Sequence, residues 1–444
     1  MKNNSTRFWQ RAGVVAGTGA LLIGALAGCT SGDSASSADS GTQADIDAAV
    51  EKGAELTWWT WSDSTEKLAE AFTKENPNVK IKVVKMENPD AVVTKLQNAI
   101  KAGSGAPDLL GAEYQTLPQL ALGGALADMS KFGLDSYENE FTASTWNSSH
   151  FGDQLVAIPG DSGPMVMIYN KTMYDAAGIT EAPKTWDEFA AASTAIHAAD
   201  PEAYIANSGD AGFITSMLWS AGAQPFKTDG ENITIDLQDE GSVKFADYWG
   251  GLLQKGELSP LSTWSDEWSK ALSQNKLATL MMGSWMISGM DDYSTGNWRV
   301  APMPSWDGTG ASAQNGGSGY AVSSQSKNKA ASAAVLQFLA DGTGRDMLNA
   351  SGFPSTLAAF ENPEWRDFAF PAYDGQEANQ VGVAASESVI PGWQYLPYQG
   401  YANNVFTDSV GKALGEQGDL NAAFVEWQKT LVEYGNSQGF SVNK

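Results

Sequence analysis

One cysteine and two histidines are all that 444 residues offer for thiol or imidazole chemistry. With Cys29 alone, no disulfide closes within the chain. His150 and His197 leave zinc sites and Ser-His or Cys-His triads almost without raw material. His197, in the Ala-rich stretch AAASTAIHAAD, reads as a packing or surface residue. Positive charge is scarce too: 27 Lys and Arg stand against 52 Asp and Glu, a formal net charge of −25. Such a field repels nucleic acid and anionic lipid surfaces and argues against a strongly anionic ligand. No early run is long enough for a confident membrane span. The uncharged stretch from Ala12 to Gly28 falls short of the roughly 20 apolar residues a span needs. The acidic segment Asp229 to Glu240 lacks the glycine that a calcium loop requires at its sixth position. Neither a metal nor a cofactor is expected.

What is present begins with the first residues. Lys2, Arg7 and Arg11 precede the uncharged run, the pattern of a secretion signal. Leu26-Ala27-Gly28-Cys29 resembles the lipobox of bacterial lipoproteins. That resemblance implies cleavage before Cys29 and a lipid on its thiol, so residues 1–28 are read as a signal peptide. Thr30 to Lys52 is Ser, Ala, Gly, Asp and Thr with almost no large apolar residue, which predicts a flexible tether over 29–53. The folded body is then expected from Ala54 to Lys444, long enough for two lobes.

Aromatic residues are the excess: 16 Trp, 13 Tyr and 17 Phe. Several tryptophans sit beside Gly, Ser, Asp or Pro in loop-like stretches, where they suit stacking against a flat apolar face that also carries polar groups. ELTWWTW (Glu55 to Trp61) reads as a strand, with Trp58 and Trp59 in the core. A helix follows, with Asp63 and Glu66 as its N-cap pair. VKIKVVKM is a second strand, a helix with Val92, Val93, Leu96 and Ile100 on one face comes next, and APDLLGAEY is a third strand ending at Glu113. The alternation predicts an α/β fold with a parallel sheet, whose ligands sit beyond the carboxyl ends of strands. GPMVMIYNK, ATLMMGSW and GGSGYAVSS supply later strands. Thr185 and Glu188 form a capping box, Trp186 and Trp249 pack on helices, and PGWQYLPYQGY is an aromatic loop.

IYNKTMYDAAGITEAPKTWDEF (Ile168 to Phe189), followed by TDGENITIDLQDEGSVKFADYWGGLL, ATLMMGSW and GGSGYAVSSQSKNKAASAAVLQFL in that order, resembles the extracellular solute-binding proteins of bacterial ABC importers, in the carbohydrate-binding group. The resemblance spans essentially the whole mature chain. It implies a two-lobed α/β fold of the periplasmic-binding-protein type II, with an interlobe cleft and a hinge. The N-lobe is expected over 54–160 plus 300–343 and the C-lobe over 161–299 plus 344–444. The resemblance further implies a monomer held by its lipid on the outer face of the cytoplasmic membrane, as in Gram-positive-type bacteria, that delivers ligand to permease subunits of an ABC transporter.

A sugar ring has an apolar C–H face and a rim of hydroxyls, so its site needs aromatic platforms and fixed polar groups. Trp61 and Asp63 follow the first strand, although Asp63 serves equally as a helix cap. Glu113 and Tyr114 follow the third strand. Asp161 lies in IPGDSGP, at the expected crossover between lobes. Gly317 and Ser318 offer backbone and hydroxyl groups, and Trp393 and Tyr395 form the last aromatic loop. The resemblance adds Trp219, where similar proteins contact ligand, and Trp285, which matches a stacking tryptophan. Trp264 and Trp268 stay unassigned at the rim. The expected function is capture of a neutral oligosaccharide without catalysis. Two alternatives stay open: a non-sugar solute such as a peptide, polyamine or polyol, and a lipid-anchored glycoside hydrolase built on acids such as Asp63, Glu113 and Asp161.

Overall fold

The computed structural model describes residues 39–443; residues 1–28, read above as a signal peptide, and Cys29, read as a lipid-attachment point, lie outside the described residues. In chain order, the elements that build the site are α1 (Gln43–Lys52), β1 (Ala54–Thr60), α2 (Ser64–Glu75), β2 (Val79–Lys85), α3 (Pro89–Ala102), β3 (Leu109–Glu113), β4 (Ile158–Pro159) and β5 (Met165–Asn170). They continue with α4 (Ala211–Ser220), α5 (Asp266–Ser273), β6 (Thr279–Gly283), β7 (Trp298–Pro302), β8 (Ser318–Val322), α6 (Lys329–Ala340) and α7 (Gly342–Asn349).

The N-lobe holds a five-stranded sheet in the order β2-β1-β3-β8-β4. β1 pairs in parallel with β2 and β3, as the strand–helix alternation requires. β8 alone runs the other way, antiparallel to both β3 and β4, a pairing that local pattern does not reveal. Trp58 and Trp59 show how the sheet is buried. They are successive residues of β1, so they project to opposite faces. Trp58 joins Leu68, Phe72 and Leu336 on one side, and Trp59 joins Val92, Leu96 and Leu110 on the other. Both indoles are buried, as expected.

The N-lobe begins earlier than the sequence reading placed it. Residues 43–52, assigned there to the flexible tether, form the helix α1. Thr42 and Asp45 make a reciprocal capping box at its start. Ile46 is 1% exposed and joins the Trp58 cluster, while Gln43 and Gln337 exchange side-chain hydrogen bonds onto α6. Upstream of it, Asp39 pairs with the buried ammonium of Lys329. A single large apolar side chain with correct capping overrides the bland composition around it.

The C-lobe has a central three-stranded antiparallel sheet, β6-β5-β7. Here too the boundaries differ from expectation. Residues 298–302 were placed across the N-lobe boundary at 300, but β7 lies along β5 from Trp298↔Asn170 to Pro302↔Val166. Ala301, Met303 and Ala313 are buried in the C-lobe core, so the return to the N-lobe falls near Gln314–Ser318. Conversely α7, placed in the C-lobe from 344, packs on α2 and α6 and buries Leu348 in the N-lobe.

Three segments therefore run between the lobes: 160–164, 313–317 and about 350–356. The first two lie side by side, with Met165 N–H donating to Ala313 O at 2.8 Å and Asn315 N–H to Gly163 O at 2.7 Å. The third is tied by Ser162 N–H to Phe353 O at 2.9 Å. Adjacent strands that bend together form a hinge with few soft torsions.

Candidate functional site

The sheet register brings four strand ends to one edge of the N-lobe. β1 and β3 run in parallel, so Trp61 and Glu113 emerge at the same edge. β8 runs antiparallel to β3 with Ser318 opposite Glu113, so its beginning lies beside their ends. Gly160 and Asp161, just past β4, both donate backbone N–H bonds to Ser318 O, at 2.8 and 3.2 Å. On the facing lobe β6 ends at Gly283, and Ser284 N–H and Oγ–H both reach Pro164 O, which sets Trp285 directly above the crossovers.

Between these edges lies a cleft of about 540 Å³. From the N-lobe it is lined by Trp61, Asp90, Glu113, Gln115 and Asp161; from the crossover by Asn315 to Ser318; from the C-lobe by Asp210, Phe213, Ser216, Trp264, Trp285 and Tyr395, among others. Trp285 is fixed: its Nε1–H donates to Asn315 O at 2.8 Å, and Asn315 Nδ2–H donates to Ser216 Oγ on α4 at 3.1 Å. Gly283 has no room for a side chain there, because a Cβ would fall 2.2 Å from Trp285 Nε1. Trp61 lies over Gly111 of β3, where a Cβ would approach its ring at 3.1 Å.

The carboxyl groups are shaped by burial. Asp161 Oδ1 accepts from Ser318 N–H at 2.6 Å and Ser318 Oγ–H at 2.8 Å; burial raises its pKa while those bonds hold it down. Asp210 caps α4 by accepting from Phe213 N–H at 2.8 Å, and burial raises its pKa as well. Glu113 is pushed up to about 7, chiefly by desolvation and opposed by the bond from Gln115 Nε2–H at 2.8 Å. A carboxyl raised from 4.5 to about 7 keeps its proton in the folded chain while the unfolded chain ionises. Stability contributed at this site is therefore lost as pH rises from about 4.5 to 7, and stays lost above that. Glu113→Gln removes the slope. At pH 8 the variant is expected to be more stable than the parent by about 2 kcal/mol, after discounting the carboxyl's partial contact with water, and indistinguishable from it near pH 4. Denaturant midpoints at both values check this; equal midpoints at pH 8 contradict it.

Seven of the eleven residues singled out in the sequence meet at this cleft: Trp61, Glu113, Asp161, Trp285, Gly317, Ser318 and Tyr395. Four do not line it. Asp63 is exposed, bonds no backbone N–H of α2 and instead pairs with Lys85 at the end of β2. It stands at the N-cap position of α2 without making the capping bond, and it lies away from the cleft lining. Tyr114 is buried beneath the cleft floor, its hydroxyl donating to Asp161 O at 2.8 Å. It packs under Gly317, whose φ of +96° and lack of a Cβ let the crossover pass over the ring. Trp219 is 5% exposed because α4 is buried all round; its Nε1–H donates to Ile390 O. Trp393 stacks on Trp219 at 5.3 Å and 5°. Both rings meet Tyr395 edge-on, so this pair holds Tyr395 at the cleft from behind.

The sequence reading missed Asp90, Gln115, Asp210 and Asn315, and left Trp264 unassigned. Asp210 and Asp90 look like ordinary helix-start residues in sequence. Asn315 carried no signal apart from its neighbouring glycines. Among the described residues no group of three or more His, Cys, Asp and Glu side chains converges as a metal site would require. The cleft lining contains no Lys, Arg or His, so nothing there would neutralise a phosphate or carboxylate.

Comparison with known proteins accords with this architecture. The model of the bacterial extracellular solute-binding protein family matches residues 67–372. An arabinooligosaccharide-binding protein of Halalkalibacterium halodurans is 24% identical over 382 residues, covering 81% of this chain and 85% of that one. The ABC transporter associated binding protein of B. animalis subsp. lactis Bl-04, solved with β-1,6-galactobiose, is 34% identical with a TM-score of 0.78, covering 88% of this chain and all of the other. The galacto-N-biose/lacto-N-biose I-binding protein of Bifidobacterium longum shares the fold, with a TM-score of 0.76 at 24% identity over 88% of this chain and 99% of that one.

Proposed function

This chain belongs to the bacterial extracellular solute-binding proteins, and from that premise we propose that it captures a neutral oligosaccharide between its lobes and delivers it to the permease of an ABC importer, without chemistry of its own. One observation carries the reading. An immobilised indole, Trp285, faces a cleft whose opposite wall presents the carboxyl groups of Glu113 and Asp161, with no cation in the lining. An indole covers the C–H face of a sugar, and carboxyl and amide groups take its hydroxyls in pairs. The names of the Halalkalibacterium protein and of the 34% identical B. animalis protein, one an arabinooligosaccharide binder and the other solved with a galactobiose, support a short neutral sugar. A ligand that touches both lobes binds the closed form better and shifts the population toward it.

A second reading has its own observation. Asp90, Glu113, Asp161 and Asp210 face the cleft with no cation to balance them, which suits a polyamine or a basic peptide. Titration calorimetry with neutral oligosaccharides and with spermidine separates the two, with recovery of the sugar afterwards. Saturable heat with sugar recovered intact is expected. Heat with spermidine alone replaces the reading by the cationic one, and shortened sugar replaces it by hydrolysis.

The lipobox at Cys29 supports attachment of the mature chain to the outer face of the cytoplasmic membrane. Metabolic labelling with a fatty acid that disappears in Cys29→Ser checks the anchor.

A further inference from the structure

Trp264 stands apart from the other aromatic residues. It is 48% exposed, the only exposed tryptophan among the described residues, and it lines the cleft. Its φ is +70°, a left-handed backbone that a bulky side chain avoids. Such strain persists only where neighbours over-determine it, and it gathers at ligand-holding sites. Both neighbours are indeed held. Thr263 Oγ1 accepts from Asn207 Nδ2–H at 2.9 Å. Ser265 caps α5 by accepting from Trp268 N–H at 3.1 Å. The ring leans on Trp268 at 5.2 Å and on Tyr293 at 6.2 Å. It lies 5.9 Å from Trp285, centroid to centroid, with the two planes only 25° apart.

An exposed indole in a strained turn gains nothing for the core that a polar, turn-compatible residue would not supply at less strain. Its position next to Trp285 extends one apolar step into two. Resting on the reading of the cleft as a sugar site, we propose that Trp264 is the platform for a second sugar ring, beyond the one that Trp285 carries, and that it makes the site select chains of two or more rings over single sugars. Trp285 is locked by Asn315; Trp264 is locked by its turn; the pair is therefore preorganised, and the second ring binds without ordering a loop.

The test compares Trp264→Asn and Trp264→Tyr with the parent. Asparagine tolerates the left-handed turn, and tyrosine keeps a flat face. Calorimetry uses galactose and β-1,6-galactobiose, then arabinose and arabinobiose, with melting temperatures for every variant. For whichever disaccharide the parent binds, Trp264→Asn is expected to weaken it about tenfold or more and to leave the matching monosaccharide within about twofold. Its melting temperature should not fall, and Trp264→Tyr should restore most of the affinity. Unchanged disaccharide affinity overturns the proposal. So do equal losses for disaccharide and monosaccharide, or a loss of affinity that goes with a fall in melting temperature and that tyrosine does not rescue. A parent that binds none of the four sugars fails differently: it removes the sugar reading itself and this inference with it.

Discussion

Trp285→Ala is expected to weaken ligand binding by about 3 kcal/mol, more than a hundredfold in Kd. The indole is held to the crossover by the 2.8 Å bond from its Nε1–H to Asn315 O. It also closes the gap between two core clusters, that of Met286 and Ile287 and that of Phe353 and Phe360. Alanine removes the apolar platform and frees Asn315 O to water at the cleft floor. The ring is partly exposed, so the fold is expected to survive. A titration of the parent's ligand, with circular dichroism as the control for folding, reads the effect. Affinity within a few-fold of the parent would remove Trp285 from the site.

Asp161→Ala is expected to cost about 3 kcal/mol of stability. Two bonds converge on one carboxyl oxygen, from Ser318 N–H and Ser318 Oγ–H. Removing the acceptor leaves a backbone N–H unpaired at a buried crossover, and bonds to charged or partly charged acceptors are worth roughly 1.5–3 kcal/mol each. The relief of desolvating a carboxyl offsets part of that loss. The consequence reaches the ligand, because Asp161 and Ser318 join two of the three interlobe segments at the point where the cleft opens. Asp161→Asn keeps an acceptor oxygen and should lose less than half as much. Chemical denaturation of both variants measures this. Equal losses for Asn and Ala would mean that the charge, not the pair of bonds to Ser318, holds the crossover.

Much of this arrangement was legible in the chain. Alternating strands and helices from Glu55 to Glu113 predict a parallel sheet, and its strand ends put Trp61 and Glu113 at the cleft edge. The capping box of Thr185 and Glu188 is present as read. What escaped depended on partners distant in sequence. Nothing near Trp298 announces that β7 pairs with β5, so the return crossing was placed too early. Asp63 resembles a cap because caps are local, whereas its partner Lys85 comes from the end of the next strand. Trp219 was expected at the ligand from the resemblance, yet α4 is enclosed on every side and its indole bonds to Ile390 O. The misreading of α1 was avoidable. Thr42, Asp45, Ile46, Ala49 and Val50 spell a capped amphipathic turn, and composition averaged over the tether concealed it.

The family and the two-lobed fold follow from the chain's similarity and its sheets; the occupant of the cleft is the central claim. A crystal structure of residues 39–444 grown with the tightest-binding neutral oligosaccharide tests it most directly. The account predicts a sugar ring flat against Trp285, its hydroxyls bonded to Glu113 and Asp161, and a second ring at Trp264. A sugar bound elsewhere, or a cleft in which Trp285 touches no ligand while the lobes are shut, would contradict it.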